Sequence, residues 1–90
     1  MSMIKLDPQL AERLQANPGA EVRLIVRVTG DLAARAAEVE RRGARVYRCL
    51  PIIGALALAA TGRQALALAA EPWVERVEED REVRAAGGEH

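Results

Sequence analysis

Glu21-Val22-Arg23-Leu24-Ile25-Val26-Arg27-Val28 alternates along its whole length. In an extended chain Val22, Leu24, Val26 and Val28 fall on one face, and Arg23, Ile25 and Arg27 on the other. This is a strand with one side toward a core and one toward water, and it fixes how the flanking sequence is read.

Downstream, Gly30-Asp31 opens a segment in which Leu32, Ala36 and Val39 recur at helical spacing. It ends in Arg41-Arg42-Gly43, with cations in the last turn and glycine beyond them. Residues 44–50 read as a second strand, Pro51-Ile52-Ile53-Gly54 as a turn, and residues 55–60 as a third strand. The alanines of that third strand make it ambiguous by propensity, and context decides for strand. Thr61-Gly62-Arg63-Gln64 has the spacing of a capping box and starts a second helix, which Glu71-Pro72 stops. Residues 73–79 form a last strand, apolar at Trp73, Val74 and Val77.

Upstream, Asp7-Pro8 is an N-cap followed by a first-turn proline. Leu10 and Leu14 share one face of the short helix that follows, and Asn17-Pro18-Gly19 ends it. The order β-α-β-β-α-β predicts an α+β fold: a ferredoxin-like sandwich with a four-stranded antiparallel sheet, two helices on one face, and a short N-terminal helix added. Three regions follow: an extension over residues 1–20, the domain over 21–80, and a polar, small-residue tail over 81–90.

Ninety residues suffice for one domain and one core. That core is thin and aliphatic, because half the residues are hydrophobic yet Tyr47 and Trp73 are the only aromatics. Thirteen basic and thirteen acidic residues interleave to a net charge of zero, which speaks against nucleic acid and against an anionic membrane as partners. No apolar run of signal-peptide or membrane-spanning length is present, so a cytoplasmic location is expected. Cys49 is the only cysteine, which excludes an internal disulfide; it is expected to be a small, buried apolar residue of the second strand.

The chemistry of an enzyme is missing. The only serine is Ser2 and the only histidine is His90, at opposite ends of the sequence, so no Ser-His-Asp arrangement is expected. No Cys-x-x-Cys loop, glycine-rich phosphate cradle or pair of stacking aromatics appears, and no cofactor is expected. Glu78-Glu79-Asp80, with Glu75 and Glu82 nearby, reads as a solvated acidic strand end rather than a metal site. The expected function is therefore binding, without catalysis. Ala55-Leu56-Ala57-Leu58-Ala59 lacks polar alternation, and Ile25 and Tyr47 interrupt charged outward positions. An apolar open face contacting a partner through Ile25, Tyr47, Leu56 and Leu58 is the expectation.

Leu24-Ile25-Val26-Arg27-Val28, Gly43-Ala44-Arg45-Val46, Pro51-Ile52-Ile53-Gly54-Ala55-Leu56-Ala57 and Pro72-Trp73-Val74-Glu75-Arg76-Val77-Glu78-Glu79-Asp80, in that order, resemble the subtilisin propeptide, or inhibitor I9, family. The segment at residues 72–80 is the most specific of them. The resemblance implies a subtilisin-like serine protease as partner and a role as stand-alone inhibitor and folding chaperone. It implies that the sheet face docks on two protease helices whose N-termini meet Glu78 and Asp80. It further implies that Val83, Arg84, Ala85 and Ala86 lie in the active-site cleft as a slow substrate or product mimic. The alternative, from another class, is an ACT-like ferredoxin-fold module that binds a ligand or forms a homodimer through the open sheet face. A third reading is a relic propeptide that assists folding and inhibits weakly.

Overall fold

The structure, a computed structural model, describes residues 5–80. Its elements are α1 (Pro8–Ala16), β1 (Glu21–Val28), α2 (Leu32–Arg41), β2 (Arg45–Leu50), β3 (Ala55–Thr61), α3 (Gly62–Ala69) and β4 (Val74–Glu79). The four strands form one antiparallel sheet in the order β2-β3-β1-β4. Three helices complete an α+β fold.

Each helix starts where its cap residue dictates. The Asp7 carboxylate accepts from the N–H groups of Gln9 and Leu10, and that of Asp31 from Ala34. Thr61 ends β3 and caps α3 in the same residue: its hydroxyl accepts from Gln64 N–H while the Gln64 side chain accepts from Thr61 N–H. The sheet thus passes into α3 without a linker. Gly43, at φ +99°, turns the chain from α2 into β2, a left-handed conformation that a side chain would strain.

Leu24 and Val26 of β1 lie opposite Leu58 and Leu56 of β3, and Val26 lies opposite Val77 of β4. With Val39 of α2 and Ala65 and Leu68 of α3, these residues form one core on the helix-covered face. Leu10 and Leu14 of α1 belong to the same core, and Leu14 is only 1% exposed. The N-terminal segment is anchored further: Val77 N–H donates to the Lys5 carbonyl (2.7 Å), Leu6 bridges Val77 in parallel, and Lys5 Nζ donates to the carbonyls of Ala69 and Glu71. A cation thereby meets carbonyls at and just beyond the C-terminal end of α3, the negative end of its dipole.

Two expectations are overturned. Leu56 and Leu58 point into the core, at 0% and 1% exposure, because their register partners Val26 and Leu24 do so. Cys49 does lie in β2 but is exposed: β2 is an edge strand, and Cys49 falls outside the core cluster.

Candidate functional site

The helix-free face of the sheet is built in three cross-strand rows. Arg45, Ala59 and Arg23 form the first; Arg48, Ala57, Ile25 and Glu78 the second; Leu50, Ala55, Arg27 and Arg76 the third. Asp80 extends the first row, donating its N–H to the Arg23 carbonyl at 3.0 Å. The alternation of β1 decides this arrangement, since every residue paired with Arg23, Ile25 or Arg27 shares their face.

Ala55, Ala57 and Ala59 form the floor of this face, yet none is more than 2% exposed. Short side chains on a central strand are covered by the long ones of β1 and β2 on either side. The predicted apolar sheet is therefore roofed by arginine. Ile25 is half-buried within this roof.

Tyr47 is the extra residue of a bulge between the pairs Val46–Leu58 and Arg48–Ala57. The bulge places Tyr47 and Arg48 both toward the open face. The Tyr47 ring has the Arg23 guanidinium 4.8 Å and the Arg45 guanidinium 5.9 Å from its centroid. Arg23 and Arg45 flank Ala59, so the ring lies over that alanine. Tyr47 remains 47% exposed and joins Ile52 and Ile53 of the β2–β3 turn as the exposed large hydrophobic side chains among the described residues.

The acidic groups sit toward the margins. Glu21 pairs with Arg45 at 3.1 Å, and Glu78 pairs with Arg76 on its own strand. Glu79 points to the opposite side and pairs with Arg13 of α1 at 2.7 Å. That contact holds the Arg13 guanidinium above its usual value, through the hydrogen bond to Glu79 first. Glu78 and Asp80 are thus on the open face and Glu79 is not, the division that a two-residue period requires. Among the described residues no cluster of three His, Cys, Asp or Glu could hold a metal ion, and no helix is long and apolar enough to cross a membrane.

A groove of about 1230 Å³ runs along the outer edge of β4, between Asp7, Gln9 and Arg13 on one side and Arg76 and Glu78 on the other. Its lining holds no serine, threonine, cysteine or histidine. Of the residues expected at the site, Ile25, Tyr47, Glu78 and Asp80 share the open face, while Leu56 and Leu58 do not. Val83, Arg84, Ala85 and Ala86 lie outside the described residues. Arg23 and Arg27 were legible on this face from the alternation of β1, whereas Arg48 joins them only through the bulge at Tyr47. No family model matches the chain, and no curated protein matches it in sequence.

Proposed function

We propose that the protein is a binding module of the inhibitor I9 kind: a ferredoxin-like sandwich that docks its open sheet face on a subtilisin-like serine protease and directs the residues after Asp80 into the active-site cleft. The chain order β-α-β-β-α-β and the spatial order β2-β3-β1-β4 support the sandwich. The observation that carries the docking is the placement of Glu78 and Asp80 on the open face, at the end of an edge strand. Carboxylates so placed suit helix N-termini, where N–H groups lack partners and the dipole is positive. The tail then binds as an added strand at high local concentration.

The arginine roof does not favour the ACT-like homodimer. Two copies meeting face to face about a two-fold axis through the alanine floor bring Arg23 and Arg27 toward the arginines of the partner.

Steady-state inhibition of a subtilisin-type protease by the whole chain, with a chain ending at Asp80 as control, tests the proposal. The expected result is competitive inhibition that the shortened chain loses while remaining folded. A folded whole chain that inhibits none of several such proteases removes the reading.

A further inference from the structure

We infer that the open sheet face is a guanidinium layer that seats a carboxylate-bearing protein surface. The inference rests on the preceding reading for the use of this face in docking, and adds the chemistry of the surface it meets.

Charge complementarity is the first ground. The rows place Arg23 and Arg27 on one side of the alanine floor, and on the other Arg48 and Arg45, the latter paired with Glu21. The two sides lie about 10 Å apart, two strand spacings. What holds Arg23 and Arg27 is uncharged: the Tyr47 ring for Arg23, and the Ile53 carbonyl, 3.4 Å from Nε, for Arg27. Their forks keep donors for bidentate carboxylate contacts, a geometry that lysine does not offer.

Local conflict is the second ground. Arg27 lies directly opposite Arg76 across β1 and β4. Like charges directly opposed on a sheet destabilise it; Arg76 is offset by the Glu78 carboxylate, whereas Arg27 has only the neutral Ile53 carbonyl. A partner carboxylate over Arg27 removes that cost, so the conflict belongs to the unbound state and is resolved by binding.

A protein surface suits the layer better than a nucleic acid. Glu21, Glu78 and Asp80 border it and repel a continuous polyphosphate, and its single aromatic ring, Tyr47, is already engaged by Arg23 and Arg45. Discrete carboxylates, spaced among neutral groups, can meet the arginines and avoid the acidic margin.

The test needs no protease. The isotope-labelled full chain is titrated, by NMR, with a helical alanine–glutamate peptide, its alanine–lysine counterpart and a single-stranded RNA oligonucleotide. The glutamate peptide is expected to shift the amides of Arg23, Arg27, Ala57 and Ala59, and to bind about tenfold more weakly to R23E or R27E and at high salt. R63E, on α3, is expected to bind it as the wild type does. Should R27E melt at room temperature, R27Q carries the same comparison. Equal binding of the lysine peptide or the RNA, indifference to R23E and R27E, or no shift on the sheet overturns the inference. Glutamate-peptide binding without inhibition of any subtilisin-type protease keeps the layer and discards the protease; tail-dependent inhibition without peptide binding does the reverse.

Discussion

Gly62 lies so close to the end of α1 that a Cβ on it would sit 2.5 Å from the Leu14 carbonyl oxygen. The same atom would meet the Asn17 carbonyl oxygen at 2.9 Å and Pro18 Cα at 3.1 Å, all backbone and none able to rotate aside. Gly62 N–H donates to the Ala20 carbonyl and Arg63 N–H to that of Pro18, so the approach is fastened on both sides. Glycine is required here by space, since its φ is not positive.

Gly62→Ala is therefore expected to destabilise the protein by about 1–3 kcal/mol, the range for overpacking. Leu14→Ala should cost about 2–5 kcal/mol by cavity formation. Urea unfolding followed by Trp73 fluorescence reads both. A Gly62→Ala midpoint equal to that of the wild type contradicts the close approach, and an unchanged Leu14→Ala midpoint shows α1 to be dispensable to the core.

Glu38 gives the stability a pH dependence. Its carboxyl lies below the usual range because Arg41 first, and then Arg42, hydrogen-bond to it. Arg42 also reaches Glu71 at 2.7 Å, and that contact is the larger cause holding Arg42 above its usual value. A carboxyl whose value is lowered by folding stabilises fully above its unfolded pKa, about 4.3 for Glu. This stabilisation fades as pH falls through the lower folded value. E38Q should thus be less stable than the wild type at neutral pH, with the gap closing on acidification. A gap that is constant with pH rules out the ionic origin.

Local sequence made the elements legible, and register made the faces legible only in part. The alternation of β1 names its structure over the strand's own length, and the Asp7 and Asp31 caps and the Thr61–Gln64 box name theirs within four residues. In β3, alanine and leucine alternate without a polar residue to mark the wet side, so Leu56 and Leu58 could be assigned only through pairing with Val26 and Leu24. The bulge at Tyr47 then breaks the two-residue period, placing Arg48 on the same face as Tyr47. No sequence signal announces such an insertion, and the place of Arg48 beside the outward Arg23 and Arg27 stayed hidden behind it. The contact of Gly62 with Leu14 joins segments far apart in sequence, and nothing in either one foretells the other. Glu78 and Asp80 needed only the period of β4 to be placed together.

The capping box also serves a tertiary contact. Gln64 Oε1 accepts from Thr61 N–H (2.9 Å), while its Nε2 donates to the Arg42 carbonyl (3.4 Å) at the end of α2. Thr61→Ala is expected to cost about 1 kcal/mol, the usual loss for an N-cap. Gln64→Ala removes the return bond to Thr61 and the link to α2 together, and should cost more. Equal losses in a thermal or urea series would show that the Arg42 contact contributes nothing measurable.

Cys49 supplies a probe of the β2 edge. It is exposed and, among the described residues, β2 has no strand on its outer side, so the folded protein should react with a thiol reagent to completion without denaturant. Burial, the common fate of a free cysteine, would instead limit the reaction to the rate of local or global opening. The comparison is the native rate against the rate in denaturing urea: a ratio within about tenfold fits an exposed side chain, while protection of many thousandfold, near the global opening constant, places the thiol inside. The same reaction reports on self-association. If two copies pair along β2, labelling should slow as protein concentration rises; a rate independent of concentration leaves β2 an uncovered edge, with Arg45 and Arg48 as the charges that discourage pairing there.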